Sequence, residues 1–289
     1  MFYTAAGGTN PESEGKEFTI RTAYSTDGGN TYVKFGEPVL ESLAGENRDP
    51  KVFWHEESAA YIMVLWVENE DFAIFRSTDL AKFSLSQRLT LEGGFECPDL
   101  FRLAVKGSEE QKWVFWAADG SYYMGEFDGY SFTQTLERKL AYESRVENDE
   151  HKSSLAYAAQ TYFGVGERVM SVPWLRTECV EEQITGVMGL PRYFSLIKKD
   201  EEYVLCQELP DFVREGLERK QLEELVTECR LDVEYSPDKA TLTIRSAKRT
   251  IVLENMDTED LDIVYDKGVM EIANGENTKI WYCDFPELR

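Results

Sequence analysis

Histidine is nearly missing from this sequence: His55 and His151 are the only two in 289 residues. That scarcity excludes a histidine metal cluster. Cysteine is thinly spread as well. Cys97, Cys179, Cys206, Cys229 and Cys283 are odd in number, and none forms a Cys-x-x-Cys pair. Neither a disulfide framework nor a zinc site is expected, and the thiols read as reduced. No cofactor and no metal is called for. No stretch approaches the ~18 apolar residues of a membrane span. No basic start is followed by an apolar run of signal length. The expectation is a soluble, cytoplasmic protein. Positive charge is also short: 31 Lys and Arg face 54 Asp and Glu, a formal net charge of −23. Such a surface repels nucleic acid and anionic membranes, which excludes both as partners.

What the chain has in plenty is aromatic residues, with 15 Tyr, 16 Phe and 6 Trp. This composition favours β structure. Short continuous apolar runs, such as Tyr61 to Trp66, Phe72 to Phe75, Lys112 to Trp116 and Tyr122 to Gly125, read as strands buried on both faces. Trp66 and Trp116 are expected to pack between sheets. Between the runs stand turns in which Asp and Ser or Thr oxygens accept from nearby backbone N–H groups. These are Ser25 to Tyr32, Ser77-Thr78-Asp79-Leu80 and Phe127-Asp128-Gly129-Tyr130. They recur at roughly fifty residues, the period of four-stranded propeller blades.

The stretch from Arg48 to Phe101 carries the candidate chemistry. It opens with Arg48-Asp49-Pro50-Lys51-Val52-Phe53-Trp54 and closes with Phe95-Glu96-Cys97-Pro98-Asp99-Leu100-Phe101. Proline pushes the residue before it toward an extended conformation, so each acid is expected at a defined strand start. Two carboxyls facing one pocket are the minimum equipment for cleaving a glycosidic bond.

Arg48-Asp49-Pro50 and Glu96-Cys97-Pro98 resemble two signature motifs of glycoside hydrolase family 32, the invertases, inulinases and levanases. Phe127-Asp128-Gly129, Tyr157-Ala158-Ala159-Gln160 and Gly186-Val187-Met188-Gly189-Leu190-Pro191-Arg192 resemble further family segments in the right order. The resemblance covers most of the chain and weakens after about Leu209. It implies an all-β fold, a five-bladed-type β-propeller incomplete at the N-terminus and followed by a small C-terminal β-sandwich. It implies Glu96 as general acid/base and Asp49 as the group that hydrogen-bonds sugar hydroxyls and stabilises the transition state. Arg48 and Cys97 are implied as neighbours that hold or tune these groups. Tyr157 and Trp174 fall on segments bordering the family's pocket, as ligand contacts or as core. His151 lies in a charged stretch, Glu143 to Ser154, that reads as a loop and departs from the family pattern.

The family's nucleophile is an aspartate in a Trp-Met-Asn-Asp-Pro-Asn-Gly-like motif. No such motif occurs in this sequence. Retaining hydrolysis needs that attacking carboxylate about 5 Å from the acid, so the covalent step has no visible agent. The expectation is that a second copy of the chain or a separate polypeptide closes the propeller. The domain reading is a propeller over 1–208, a helical linker over 209–228, where apolar residues fall at three- and four-residue spacing, and a sandwich over 229–289. Three functions stay open: a glycosidase on fructose-containing saccharides, an impaired or partner-completed sugar-binding member, and a sialidase-like propeller suggested by the turn at Ser25 to Tyr32.

Overall fold

The computed structural model describes residues 1–146, 155–179, 184–217, 232–236, 241–245, 250–253, 262–266, 269–273 and 278–282. Two compact units divide the chain: Met1–Ala104 with Glu109–Leu140 and Ala158–Gln160, and Val105–Ser108 with Ala141–Tyr157 and Thr161–Arg289.

The first unit is all β. Strands β1 (Phe2–Ala5), β2 (Thr19–Tyr24) and β3 (Val33–Lys34) form a three-stranded sheet. Strands β4 (Arg48–His55), β5 (Ala60–Glu68), β6 (Asp71–Ser77) and β7 (Ser84–Thr90) form a four-stranded antiparallel meander. A second meander follows with β8 (Asp99–Ala104), β9 (Gln111–Trp116), β10 (Ser121–Phe127) and β11 (Phe132–Gln134), and β12 (Lys139–Leu140) adds to β10. These are sheets of blade type, as the repeat of turns predicts.

Strand β5 shows why its sequence is apolar without alternation. Ile62, Val64 and Trp66 face one core, with Phe72, Ile74, Phe115 and Tyr123. Met63, Leu65 and Val67 face another, with Ile20, Ala73 and Phe75. Successive side chains leave a strand on opposite faces, so a strand packed on both sides has no polar face to show. Burying each large apolar side chain contributes about 1.5–3 kcal/mol, so β5 anchors this meander on both of its faces.

The acidic turns close as expected. Asp27 Oδ1 accepts from Thr31 N–H at 3.0 Å, and Ser25 Oγ accepts from Gly29 N–H at 2.9 Å. Asp79 Oδ1 accepts from Ala81 N–H at 2.9 Å, and Asp128 Oδ1 from Ser131 N–H at 2.7 Å.

Next come β13 (Glu143–Val146), β14 (Ala156–Thr161), whose residues Ala158–Gln160 count with the first unit, and β15 (Val169–Cys179), β16 (Ile184–Met188), β17 (Arg192–Lys199) and β18 (Glu202–Glu208) of the second. Sheet order is β14-β15-β17-β18, with β16 on β15. The helix α1 (Asp211–Gly216) covers the start of the predicted helical linker; most of the rest, like His151, lies outside the described residues. Strands β19 (Asp232–Ser236), β20 (Thr241–Arg245) and β21 (Thr250–Leu253) make one small antiparallel sheet. Strands β22 (Asp262–Asp266), β23 (Val269–Ala273) and β24 (Thr278–Tyr282) make another. The loop expected from Glu143 onward is corrected here. Residues Glu143–Val146 are a strand that pairs in parallel with β24, Glu143 opposite Lys279. Charged residues hid it, because an edge strand gains its order from ladder hydrogen bonds and needs no apolar run.

Candidate active site

Asp49 is the second residue of β4, and its φ is +64°. The sheet register shifts between Arg48 and Lys51, which makes this a bulge. The extended conformation expected before Pro50 is therefore corrected, and Cys97, the residue before Pro98, departs in the same way with φ +41°. Long-range contacts outweigh the local preference. Asp49 N–H donates to Thr4 Oγ1 at 3.0 Å, and Cys97 N–H donates to Asp49 Oδ2 at 3.1 Å. Ala118 N–H donates to both Phe95 O and Glu96 O, at 3.0 and 3.1 Å.

Eight non-glycine residues have positive φ among the described residues, and Asp49, Glu96, Cys97 and Ala158 are four of them. Each costs on the order of 1–3 kcal/mol when held away from its preferred region. The four are linked: Ala158 N–H donates to Ala118 O at 2.7 Å, and Gln160 Nε2 donates to Cys97 O at 3.1 Å. Backbone strain of this kind clusters at active sites, ligand clamps and switch regions.

Arg48 joins the two motifs. Its Nε donates to Glu96 Oε1 at 2.9 Å, and its Nη2 pairs with the same oxygen. Its Nε lies 4.0 Å from Asp49 Oδ2, and its Nη1 reaches Glu46 Oε2 at 3.0 Å. The guanidinium lies over the Trp66 ring, 4.1 Å from its centroid, a cation–π contact that also fixes the plane of the fork. Trp66 is buried as expected, but it is a floor for Arg48 as well as packing. The exposures of the Arg48, Asp49 and Glu96 side chains are 21%, 30% and 18%, so a small polar ligand can reach all three.

Burial, ahead of the charge of Glu96, holds the Asp49 carboxyl above the usual carboxylate range, although hydrogen bonds from the Cys97 N–H and thiol oppose the shift. Burial, followed by the charge of Asp49, pushes the Cys97 thiol well up. Cys97 is therefore a weak donor to Asp49, with Sγ 3.5 Å from Oδ2, and not a nucleophile. Burial lowers the pKa of Arg48, but the hydrogen bond and charge of Glu96 outweigh it, and the net shift is upward.

Beneath the pair lies an ion pair that sequence reasoning missed. Lys51 Nζ is 3.1 Å from Asp99 Oδ2, with side-chain exposures of 9% and 1%. Its signal was present: each motif carries a charge directly after its proline, and the two signs are opposite. Gln160 was visible only as part of a resembling segment.

The structure thus brings Arg48, Asp49, Glu96 and Cys97 together. Tyr157 and Trp174 belong to the other unit. The Arg176 guanidinium stands 4.3 Å from the centroid of the Tyr157 ring. Trp174, on β15 opposite Met188, is 41% exposed, which favours a surface role over core. Among the described residues no group of three or more His, Cys, Asp or Glu side chains is placed to hold a metal.

The arrangement offers two reachable carboxylates on adjoining segments, a cation between them and a half-buried setting. That is equipment for binding hydroxyl-rich ligands and for proton transfer. Comparison with known proteins agrees. Residues 1–208 match the family described as glycosyl hydrolases family 32 N-terminal domain. The chain is 32% identical over 176 residues to an invertase of Debaryomyces hansenii, covering 53% of this chain and 33% of the invertase. It is 38% identical over 137 residues to an extracellular exo-inulinase of Meyerozyma guilliermondii, covering 42% of this chain and 26% of that one. With a levanase of Bacillus subtilis it is 35% identical over 128 residues, 38% of this chain and 19% of the levanase. The matched stretches thus span a third or less of these relatives' lengths.

Among solved structures, a β-fructofuranosidase of Schwanniomyces occidentalis complexed with fructosyl-erythritol superposes with a TM-score of 0.71 at 18% identity, covering 92% of this chain and 70% of that one. An exo-inulinase of Aspergillus awamori gives 0.73 at 18% identity, covering 98% and 73%. These likenesses show the fold, a β-propeller type followed by a β-sandwich. They lend the sialidase-like alternative nothing.

Proposed function

The chain belongs to glycosyl hydrolases family 32, and we propose that it handles fructose-containing saccharides of the sucrose, inulin or levan kind through Arg48, Asp49 and Glu96. The observation that carries this reading is the meeting of the two signature segments, with Glu96 Oε1 on the Arg48 fork and Asp49 Oδ2 on the Cys97 N–H. In the proposal Glu96 is the acid/base. Arg48 grips its Oε1, so a bound saccharide has to loosen that pairing before Glu96 carries a proton to the glycosidic oxygen. Asp49 accepts from sugar hydroxyls and opposes the positive charge that develops on the ring.

The attacking carboxylate is the open element. The family resemblance assigns it to a motif absent from these 289 residues, so in this proposal it comes from outside them. A second reading is that these residues bind saccharide without turnover.

One experiment separates the two. Hydrolysis of sucrose, inulin and levan is measured for the chain and for Glu96→Gln. The hydrolase reading expects turnover that falls by about 10²–10⁴-fold in the variant. Calorimetric fructose binding that survives in Glu96→Gln and disappears in Asp49→Asn, with no turnover in any form, supports the binding reading. Neither turnover nor binding sinks both.

A further inference from the structure

The two signature segments share one layout. Arg48-Asp49-Pro50-Lys51 and Glu96-Cys97-Pro98-Asp99 each carry a charge two places before the proline and another one place after it. At both places the charges are opposite in sign, and both pairs form: Arg48 with Glu96, and Lys51 with Asp99. The first pair is reachable from solvent. The second is closed off, with Asp99 at 1% exposure, and Asp99 Oδ1 also accepts from Leu100 N–H at 2.8 Å. Between the pairs in sequence lies the contact of Asp49 Oδ2 with Cys97 N–H.

Asp49, Glu96 and Cys97 hold backbone conformations that their residue types do not prefer, so their neighbours along the chain do not keep them there. A buried ion pair adds little net stability over an apolar pair. What it supplies is register, because a slip of either segment pulls two buried opposite charges apart. We infer that Lys51 and Asp99 are positioning residues that set the spacing of the two segments, so that Asp49 meets the Cys97 N–H and Glu96 stays on Arg48. Neither touches saccharide. The inference rests on the reading of Asp49 and Glu96 given above, but its test does not use turnover.

Cys97 is a built-in reporter, since burial and, after it, the charge of Asp49 at 3.5 Å from its sulfur suppress the thiolate. Alkylation by iodoacetamide is followed at each cysteine by peptide mass spectrometry, for the chain and for Lys51→Met and Asp99→Asn. Widened spacing removes Asp49 from the thiol, and the Cys97 rate rises about tenfold, the change that one pKa unit gives. Cys206, which is buried in the other unit, keeps its rate. The swapped double variant Lys51→Asp with Asp99→Lys returns the Cys97 rate to near the starting value. General loosening would raise the Cys206 rate in step with that of Cys97, and that result overturns the inference. So does a folded single variant with an unchanged Cys97 rate. Where the single variants fail to fold, Lys51→Arg and the swapped variant decide: folded proteins with the original Cys97 rate uphold the inference, and a swapped variant with fast Cys97 alkylation overturns it. Absence of saccharide turnover and binding alongside the expected Cys97 pattern would sink the functional reading and leave the positioning role standing.

Discussion

Asp27 and Asp49 belong to the same unit, and they are satisfied in opposite ways. Asp27 takes its partners from within four residues, Thr31 N–H, Thr31 Oγ1 and Ser25 Oγ. Glycines Gly28 and Gly29 adopt the positive φ its turn requires. Hydrogen bonds from Thr31, first its side chain and then its backbone, hold the Asp27 carboxyl well below the usual range. Asp49 takes its partner from Cys97, 48 residues away, adopts the positive φ itself, and has its carboxyl pushed up by burial. Where local geometry suits the anion, an acid stabilises a turn. Where the anion is held against burial and backbone preference, the acid costs stability, which is what the proposed sugar-contacting role of Asp49 calls for.

The comparison breaks most visibly at the third acidic turn. Gly129 has φ +86°, and a Cβ there would lie 2.6 Å from His55 Nδ1 and closer still to Ser58 Oγ. The Arg76 guanidinium also grips the Gly129 carbonyl. Gly28 has φ +73° and nothing within 4 Å of its would-be Cβ. Gly129→Ala is therefore expected to lose about 2–4 kcal/mol, strain plus overpacking, and Gly28→Ala only about 1 kcal/mol from the backbone conformation. Urea unfolding of the two variants checks this; equal losses would mean that the contact with the His55–Ser58 turn is slack.

A smaller effect is expected at Asp27 itself. Asp27→Ala removes three hydrogen bonds from an exposed turn, and thermal unfolding at pH 7 should show a Tm lower by a few degrees at most. The sign follows from its lowered pKa. The contribution is present above the ordinary aspartate value and fades as pH falls through the depressed one, so the deficit should shrink in strong acid.

These local features were legible in the sequence because their causes lie within a few residues. Ser25 to Tyr32 names its own donors and acceptors, and the run Tyr61 to Trp66 announces a strand packed on both faces. The site was legible only in part. Asp49 and Glu96 were singled out by resemblance, and the structure brings them to one Arg48 fork. That Cys97 N–H, 48 residues on, would override the effect of Pro50 on Asp49 was not readable, because proline's preference is local and the contact is not. Lys51 and Asp99 drew no reading from the sequence, because the contact that pairs them joins segments 48 residues apart. The β13–β24 pairing joins segments more than 130 residues apart, and no periodicity within either one encodes it.

The smallest expected change in stability carries the sharpest form of the comparison. Asp49→Asn keeps the shape and tolerates positive φ, but it removes the charge. The folded state raises the Asp49 pKa, chiefly through burial. The native chain thus binds this proton more tightly than the unfolded chain does. Its favourable contribution is complete below the ordinary aspartate value of about 3.9 and is lost as pH rises through the folded value. At pH 7 the ionised side chain is a cost, and the asparagine variant does not bear it. Asp49→Asn should therefore melt at the same temperature as the parent or slightly above it at pH 7, and the margin should close as pH falls toward 4. Saccharide binding should be lost in the same variant. Stability and binding would then move in opposite directions at Asp49, while at Asp27 only stability moves. A Tm at pH 7 that falls for Asp49→Asn as it does for Asp27→Ala would mean that Asp49 is a turn acid like the others, held by its neighbours and not against them.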